Sequence, residues 1–390
     1  MSQAPLRKVL LDLEEQQILA VSKLGMDNPD VIPMWYGESD LPTPDFICKA
    51  AMPGQRPRDT MYTHKRGIPP LRQAIRRYTE VLYDVPVEEE RITVTTSGMT
   101  AIMLTMQMIL NPGDNVLIVS PVWPNAQAAV RLLGGEPRFV SLDATEQGFA
   151  LDLDKLFDAC DGKTRAIFIN SPNNPTGWMM GADQQRAVIE FAREKGIWVI
   201  ADEVYARMVY DRKAAPSFLE VAKPEDPLFV INSFSKSWAM TGWRLGWLIH
   251  PERVGYYLGN TIEYNYSCVQ PFLQHAGVVA IGEGEGFVRE MVEYCRKGRA
   301  VISEAFPRID GIEAYREADA SFYAFFRVRG VVDTLRYAQR LVTDAGIGIA
   351  PGTAFGPGAE GWFRLCFAQR PELLQEAMRR LAGAVGRISA

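Results

Sequence analysis

The sequence predicts an α/β protein in which a large domain with a mainly parallel sheet is followed by a smaller α+β domain. Strand-like segments begin near residues 91, 115, 165, 197, 228 and 244, and helices or loops separate them. Several of these segments are continuous apolar runs, as expected for strands buried on both faces. From residue 287 the order changes to helix, strand (321–328), helix (332–345) and strand (361–367), with a final helix from residue 371. This change of order indicates the second domain.

The overall composition argues against several classes of protein. A length of 390 residues allows two or three domains, and a net charge of −5 with scattered Lys and Arg does not support a nucleic-acid surface. No apolar run approaches the roughly 18 residues of a membrane span, and residues 1–10 lack a signal-peptide core. We therefore expect a soluble cytoplasmic protein without nucleic-acid or membrane partners.

Metal and disulfide chemistry is also disfavoured. The five cysteines are isolated and form no CxxC pair, which indicates reduced thiols. The three histidines, His64, His250 and His275, are far apart in sequence. Neither a metal site nor a Ser-His-Asp arrangement therefore has a pattern to support it.

Three segments precede the first predicted strand. Helical spacing of apolar residues over 6–24 predicts one helix that packs as an arm and ends at Gly25. In the loop 35–44, Gly37 leaves its backbone N–H open to a ligand, although a plain turn is the simpler explanation. Tyr62 precedes a helix marked by two prolines and by itself would be a half-buried aromatic residue.

Three predicted strands end in turns that suit ligand binding. The first leads into Ser97, Gly98 and Met99 at the start of a long apolar helix, where free N–H groups favour phosphate. The second leads to Trp123, which can stack on a flat heteroaromatic ring or fill the core. The third leads into the string SPNNPTG, which contains Asn174 and which turn chemistry alone also explains.

The next strand ends in acidic residues. Asp202 follows the run 197–201, where a buried carboxylate requires a cation such as a protonated pyridinium nitrogen. A capping role for Asp202 is the alternative. Tyr205 lies three residues further on, within reach of the same ring, and Glu203 is expected to face elsewhere.

Lys236 follows the apolar run 228–231, so it lies just past the carboxyl end of a strand, where open α/β sheets bind ligands. Neighbouring hydroxyls and aromatic residues can desolvate its amine, lower its pKa and make it a nucleophile toward an aldehyde. Ser233, Ser235 and Arg244 supply the donors that a phosphate monoester needs. Together these groups indicate pyridoxal phosphate, and an ordinary surface lysine is the alternative.

Two features remain in the last third of the chain. Arg364 is a lone charge inside the apolar strand 361–367 and must meet either an internal salt bridge or an anionic ligand. The run GEGEG at 282–286 is predicted to be a flexible join between the domains, since its acidic charges would repel phosphate.

The stretch from Asn232 to Gly246 resembles the Schiff-base signature of the class I and II aminotransferases of fold type I, which use pyridoxal phosphate. Matching positions run from Gly37 to Arg364, so the resemblance covers nearly the whole chain. It implies a seven-stranded large-domain sheet and a homodimer with shared active sites. We divide the chain into an N-terminal arm with part of the small domain (1–49), a large cofactor-binding domain (50–285) and a C-terminal small domain (286–390).

The resemblance also implies a role for each candidate residue. Lys236 holds the cofactor as a Schiff base and moves a proton, Asp202 keeps the ring nitrogen protonated, and Asn174 and Tyr205 contact the ring oxygen. Trp123 lies on the ring face, and Gly37 and Arg364 bind the substrate carboxylate. The phosphate ligands are Ser97, Gly98, Met99, Ser233, Ser235, Arg244 and, across a dimer interface, Tyr62 of the partner subunit.

We therefore expect an aminotransferase that moves an amino group between an α-amino acid and a 2-oxo acid. Met99 brings no charge to pair a second carboxylate, which favours neutral or apolar side chains over aspartate. A C–S β-lyase, or a decarboxylase or other Cα-carbanion enzyme on the same scaffold, is the first alternative, because the same residues serve any carbanion at the substrate Cα. A non-catalytic cofactor-binding regulator is a remote one, since roughly 35 residues before the first site loop are too few for a DNA-binding domain.

Overall fold

The structure is a computed structural model that describes residues 5–387 apart from residues 53, 55, 57 and 58. Its strands are β1 (Ile32–Pro33), β2 (Ile92–Thr95), β3 (Asn115–Ser120), β4 (Glu136–Ser141), β5 (Asp143–Thr145), β6 (Gly148–Ala150), β7 (Thr164–Asn170), β8 (Trp198–Asp202), β9 (Leu228–Ser233), β10 (Gly246–Ile249), β11 (Ile312–Glu313), β12 (Tyr323–Val328), β13 (Ile347–Gly348), β14 (Ala350–Pro351) and β15 (Trp362–Cys366).

Its helices are α1 (Lys8–Leu11), α2 (Gln17–Ser22), α3 (Asp45–Ala50), α4 (Pro69–Tyr83), α5 (Gly98–Ile109), α6 (Asn125–Leu132), α7 (Leu153–Asp158), α8 (Ala182–Lys195), α9 (Phe234–Ser237), α10 (Gly255–Asn265), α11 (Pro271–Glu283), α12 (Glu285–Ala305), α13 (Thr334–Ala345) and α14 (Pro371–Ala384). Within the described residues, none of these helices has the length and apolar character that crossing a bilayer requires.

The large sheet has seven strands in the order β2-β10-β9-β8-β7-β3-β4. Strands β9, β8, β7, β3 and β4 are parallel neighbours, whereas β10 is antiparallel to both β9 and β2. This arrangement confirms the predicted α/β class with a mainly parallel sheet. The sequence pattern did not identify β4, because this edge strand contains Pro137 and Arg138 and is mostly half-exposed, so it has no apolar run.

The central strands are apolar because both faces of the sheet are covered. Alternate residues of one strand enter different cores: in β7, Ile167 and Ile169 join one core, and Ala166 and Phe168 join the other. Side chains of a strand point alternately to opposite faces, so a sheet between two helical layers needs apolar residues at every position. This double burial holds the strand ends in a fixed arrangement at one edge.

A second sheet has the order β11-β12-β15-β14 and is antiparallel throughout. Strands β12 and β15 and helix α13 lie within the segments that the sequence predicts for the smaller domain. Strand β1 pairs with β13, which links residues near the N-terminus to the C-terminal part of the chain. This pairing supports the assignment of part of 1–49 to the smaller domain, and the boundaries at 49 and 285 stay predictions.

The prediction of one helix over 6–24 is wrong. The chain forms two short helices, α1 and α2, separated by residues 12–16. In the first half Leu6 and Leu11 are exposed and Val9 and Leu13 are half-buried, whereas Ile18 in α2 is buried. The arm contacts α6 of the large domain, where the Gln16 side chain donates to Oδ1 of Asn125 at 3.0 Å, and α2 packs against α13 and β14. Helical spacing was present, but only the second half meets a core.

The prediction of a flexible join at 282–286 is also wrong. Helix α11 ends at Glu283 and α12 begins at Glu285, so Gly284 alone separates them. Both Nη atoms of the buried Arg207 donate to the Glu285 carboxylate, at 2.9 and 2.7 Å. Gly284 is buried, and a Cβ there would lie 2.3 Å from the Ala280 carbonyl oxygen. A linker-like composition therefore forms a packed junction between two helices.

We expect Gly284→Ala to destabilise the protein by about 1–3 kcal/mol, because its methyl group overlaps the backbone of α11. The matched control is Gly282→Ala, since a Cβ at this exposed position in α11 meets no atom within 4 Å. Alanine is the better helix former, so the control should stabilise by up to about 1 kcal/mol. The urea midpoints of both variants test this, and equal tolerance of both substitutions would contradict a packed junction.

Candidate functional site

A cavity of about 180 Å³ lies at the carboxyl ends of the parallel strands of the large sheet. The last residues of β7, β8 and β9 are Asn170, Asp202 and Ser233, and the first two are register partners. The predicted site residues that line the cavity are Gly37, Gly98, Met99, Trp123, Asn174, Asp202, Tyr205, Ser233, Ser235, Lys236, Arg244 and Arg364. The structure thus brings together residues that are more than 300 positions apart in sequence.

The remaining lining residues were not identified from the sequence: Gln16, Ile18, Trp35, Tyr36, Ile102, Asn170, Val204 and Tyr323. Asn170 had a usable signal, since it is a polar residue at the end of a buried strand. Its side chain accepts from the backbone N–H of Asn174 at 2.8 Å and donates to the Asp202 carbonyl oxygen at 3.0 Å. Most of the other residues are apolar or aromatic, so the sequence does not distinguish them from residues of the hydrophobic core.

The Lys236 amine lies within the cavity. Its Nζ donates to the carbonyl oxygen of Gly37 at 2.6 Å and is 5.7 Å from the centre of the Tyr205 ring. Burial lowers the pKa of Lys236 to about 8, and the positive charges of Arg364 and Arg244 act in the same direction. The sequence predicted this lowering by desolvation. It also predicted an accessible N–H at Gly37, but the group in contact with Lys236 is the carbonyl.

Gly37 is required at its position by a close approach. A Cβ there would lie 1.9 Å from the hydroxyl oxygen of Tyr323. Any other residue would push the Tyr323 hydroxyl away or move the loop that offers its carbonyl to Lys236. The glycine thus allows two parts of the site, from the N-terminal loop and from β12, to pack directly together.

The Asp202 carboxylate is 4% exposed. Within the described residues it accepts one hydrogen bond, from the backbone N–H of Val204 at 3.3 Å. Burial raises the pKa of Asp202 to about 7, against a usual value of 3.8. By contrast, Glu203 faces away, as predicted, and its carboxylate accepts from Ser217 Oγ at 2.7 Å and from the Phe218 N–H at 2.9 Å. Asp202 is therefore a buried carboxyl group whose ionised form needs a cation.

Asn174 and Tyr205 lie side by side at the same edge. Nδ2 of Asn174 donates to the Tyr205 hydroxyl at 3.4 Å, and the Tyr205 and Tyr323 hydroxyl oxygens are 2.6 Å apart. The Asn174 side-chain oxygen also accepts from Arg364 Nη1 at 3.1 Å. These bonds form one network that runs from the SPNNPTG turn to β12 and β15.

Hydroxyls, helix N–H groups and a guanidinium meet at the other end of the cavity. Ser97 does not line it; instead its Oγ caps α5 by accepting from the Thr100 N–H at 2.9 Å. The first N–H groups of a helix have no partner within the helix, and here these belong to Gly98 and Met99. Ser233 Oγ lies 2.9 Å from Ser235 Oγ. This end of the cavity suits a phosphate group.

Arg244 and Tyr62 differ in their relation to the cavity. Arg244 lines it, and its Nη1 donates to the Thr241 carbonyl at 2.6 Å, while no carboxylate of the described residues lies within 4.0 Å of its guanidinium. Tyr62 is 84% exposed and does not line the cavity of its own chain. The role predicted for Tyr62 in a partner subunit stays a prediction.

Arg364 is 2% exposed, and it forms no ion pair with a carboxylate of the described residues. Its Nη2 donates to the Trp35 carbonyl oxygen, and its Nε has no partner in that same part of the chain. The Tyr323 and Phe355 rings lie 4.6 and 5.0 Å from its guanidinium carbon. The internal salt bridge that the sequence left open as an alternative is therefore not found among the described residues. The guanidinium is held in place by these contacts, and some of its N–H groups have no partner there.

These groups fit pyridoxal phosphate. Its phosphate suits the N–H groups of α5 with the two serines and Arg244, and its protonated ring nitrogen suits the carboxylate of Asp202. Its aldehyde suits an amine with the lowered pKa of Lys236. In the described part of the chain, no group of three or more His, Cys, Asp or Glu side chains is arranged to hold a metal ion.

Residues 29–381 match the family model described as aminotransferase class I and II. The chain is 32% identical to an aspartate aminotransferase of Thermotoga maritima, over 90% of both chains. It is 34% identical to a probable aspartate/prephenate aminotransferase of Aquifex aeolicus, over 92% of both chains. The crystal structure of the aspartate aminotransferase from Rhizobium meliloti superposes with a TM-score of 0.90 at 28% identity, covering 99% of this chain and 100% of the other.

The raised pKa of Asp202 predicts a pH-dependent stability of the cofactor-free protein. A carboxyl group with a raised pKa binds its proton more tightly in the folded state, so stability falls as pH rises from 3.8 to about 7. Asp202→Asn removes this loss. At roughly 1.4 kcal/mol per pKa unit, the free energy of unfolding of the variant should exceed that of the wild type by on the order of 4 kcal/mol at pH 8.

Urea denaturation of both cofactor-free proteins at pH 4 and pH 8 tests this prediction. At pH 4 the two midpoints should nearly coincide, because both side chains are then neutral. With pyridoxal phosphate present at pH 8 the order should reverse, since the ring nitrogen pairs with the carboxylate. A stability difference that is the same at both pH values without cofactor would contradict the buried, unpaired carboxylate.

Proposed function

This chain belongs to the aminotransferase class I and II family, and from that premise we propose how its cavity carries out the family's reaction. The protein moves an amino group between an α-amino acid and a 2-oxo acid with pyridoxal phosphate as cofactor. One observation carries the proposal. A lysine with a lowered pKa lines a single cavity together with a buried carboxyl group and a buried arginine, neither of which forms an ion pair with a described residue.

Bound pyridoxal phosphate supplies an aldehyde that captures amines and a ring that stabilises a carbanion at the substrate Cα. We assign its phosphate to the α5 N-terminus at Gly98 and Met99, together with Ser233, Ser235 and Arg244. Ser97 supports this turn as the helix cap. Trp123 lies on the cavity wall, where its ring can cover a face of a flat ligand.

Lys236 is the residue that binds the aldehyde and moves the proton. A pKa of about 8 keeps a substantial fraction of the amine neutral near physiological pH, so Nζ can both take and return a proton at the substrate Cα. Asp202 holds the proton on the ring nitrogen, because burial makes the ionised carboxylate costly without that positive charge. Asn174 and Tyr205 would donate hydrogen bonds to the ring oxygen.

Arg364 binds the substrate carboxylate. Its guanidinium has five N–H groups, of which two are engaged by Asn174 and Trp35, so three remain for a ligand. The rings of Tyr323 and Phe355 hold the guanidinium plane, which limits the entropy lost when a carboxylate binds. An α-carboxylate held here orients the Cα–H bond relative to Lys236.

We infer that the preferred amino donor has a neutral or apolar side chain. Among the described residues, the cations that line the cavity are Lys236, Arg244 and Arg364, and each already has a role. The other lining side chains are uncharged except for Asp202. A second carboxylate, as in aspartate, would therefore lie without a cation unless a partner subunit supplies one. In this preference we expect the protein to differ from its relatives that are named aspartate aminotransferases.

We also propose a cytoplasmic homodimer with shared active sites. Tyr62 and Met61 are exposed, and so are Tyr256 and Tyr264 on α10. Lys65 Nζ donates to the Asn260 side chain at 3.1 Å, which ties the Tyr62 loop to α10. The exposed aromatic residues thus belong to one face, which a second copy of the chain would cover. In that arrangement Tyr62 reaches the cofactor phosphate of the partner subunit.

The cofactor-loaded protein should show a visible absorbance band that single amino acids remove without any oxo acid. Removal of the band follows because the amino group passes to the cofactor and the visible-absorbing aldehyde form is lost. Neutral and apolar amino acids should act at lower concentrations than aspartate, since aspartate leaves one carboxylate unpaired in the cavity. Absorbance spectra recorded across a panel of amino acids measure both results.

Lys236→Ala is the control, and amino acids should not convert its bound cofactor at a comparable rate. A wild-type protein without a visible band after addition of pyridoxal phosphate would contradict the site. A band that persists while pyruvate and ammonia accumulate from cystathionine would indicate the β-lyase instead. The highest catalytic efficiency with aspartate would contradict only the inference about the side chain.

Shared active sites predict complementation between two defective chains. Tyr62→Phe should weaken pyridoxal phosphate binding about 10-fold, because it removes one hydrogen bond to a charged phosphate. A mixed dimer of a Tyr62→Phe chain and a Lys236→Ala chain contains one fully intact site. Co-expression of the two chains should therefore restore transamination at limiting cofactor beyond the sum of the separate proteins.

Tyr256→Phe serves as the matched control, because Tyr256 is an exposed tyrosine on the same face. This variant should bind the cofactor as the wild type does. Activity of the co-expressed chains that equals the sum of the two separate proteins would show that Tyr62 does not act across the interface.

A further inference from the structure

Tyr323 lies among the site residues but has no role in the proposed reaction. Its hydroxyl lies 2.6 Å from the Tyr205 hydroxyl, and its ring lies 4.6 Å from the Arg364 guanidinium carbon. The side chain is fully buried, and the absence of a side chain at Gly37 leaves room for its hydroxyl. Tyr323 thus contacts Tyr205, which we assign to the ring oxygen, and Arg364, which we assign to the substrate carboxylate. It also lies next to Gly37, whose carbonyl accepts from Lys236.

The direction of the bond between the two tyrosines follows from counting protons. A tyrosine hydroxyl has one proton to donate and two lone pairs to accept. Burial raises the pKa of both Tyr205 and Tyr323 well above the usual value, so both keep their protons at any physiological pH. Of the two hydroxyl protons, only one is needed for the bond between the oxygens, and the other is free for a ligand.

The proposed role of Tyr205 decides which proton is free. Tyr205 Oη accepts from Asn174 Nδ2 at 3.4 Å, which occupies one of its lone pairs. If Tyr323 donates to the second lone pair, both are filled and the Tyr205 proton points toward the cavity. If Tyr205 donates to Tyr323 instead, no Tyr205 proton remains for the ring oxygen. The proposed contact of Tyr205 with the ring oxygen therefore requires Tyr323 as the donor.

We propose that Tyr323 is a positioning residue that donates to Tyr205 and thereby aims and strengthens the Tyr205 hydroxyl as the donor to the cofactor ring oxygen. This inference rests on the proposed function of the cavity. A hydroxyl that accepts a hydrogen bond becomes a better donor itself, because successive hydrogen bonds polarise one another. Loss of the Tyr323 hydroxyl should thus destabilise the ionised ring oxygen without removing any direct contact to it.

The charged and titratable groups around this pair come from three elements. Arg364 and Cys366 face it from β15, Asp202 from β8, and Lys236 from α9, with its Nζ 5.7 Å from the centre of the Tyr205 ring. Tyrosine-to-phenylalanine changes leave all of these in place. A change in the titration of the cofactor band can therefore be attributed to the hydroxyl pair.

The test is a pH titration of the visible band in the cofactor-loaded wild type, Tyr323→Phe, Tyr205→Phe and the double variant. Stabilising the ionised ring oxygen lowers the pH midpoint of the band, so Tyr323→Phe should raise it by about 0.5 unit. Tyr205→Phe should raise the midpoint further, by about one unit or more, because it removes a hydrogen bond to a charged group. The double variant should match Tyr205→Phe, since Tyr323 acts only through Tyr205.

Tyr315→Phe is the matched control, because Tyr315 also forms a hydroxyl–hydroxyl contact, with Ser303 at 2.9 Å, but does not line the cavity. It should leave the midpoint unchanged. An unchanged midpoint in Tyr323→Phe would overturn the inference, and so would a Tyr323 effect that persists fully in the Tyr205→Phe background. In either case a visible band in the wild type would still support the proposed function. A wild type without any visible band would overturn both.

Discussion

Two buried ionisable groups that form no salt bridge with any described residue constrain this molecule: the carboxyl group of Asp202 and the guanidinium of Arg364. Burying an ion costs several kcal/mol unless a counter-charge lies close to it. The fold keeps both groups in place with a few neutral hydrogen bonds and aromatic contacts, which hold their geometry but do not neutralise them. In the proposed function, a cationic ring nitrogen and a substrate carboxylate supply the missing charges, so ligand binding and stability would be linked at this site.

The site exists only where distant parts of the chain meet. The large sheet contributes Asp202, Ser233 and, just beyond β9, Lys236, because parallel strands end at one edge. The second sheet contributes Arg364 and Tyr323, and the N-terminal loop contributes the Gly37 carbonyl. Bonds from Lys236 to Gly37 and from Tyr205 to Tyr323 join these parts, so the position of one sheet relative to the other sets the geometry of the reaction.

The incorrect sequence interpretations have a common cause. Helical spacing over 6–24 and the glycine–glutamate alternation at 282–286 are local patterns, and local patterns do not reveal which neighbours a segment meets. Leu6 and Leu11 in the first half of the arm are exposed, and Gly284 is buried against the Ala280 carbonyl and the Trp238 side chain. Edge strand β4 was missed for the related reason that half-exposed strands carry little apolar signal.

The sequence by itself determined the fold class and most of the cavity lining, from Asp202 and Lys236 to Asn174 and Arg364. It did so because apolar runs mark buried strands, and polar residues directly after such runs must lie at one edge of a sheet. Only the tertiary structure decided that Arg364 has no salt bridge with a described residue, that Gly37 offers its carbonyl and that Tyr323 joins Tyr205 across 118 residues. Those outcomes depend on contacts between distant segments, because the type of a residue does not reveal which distant residue it will contact.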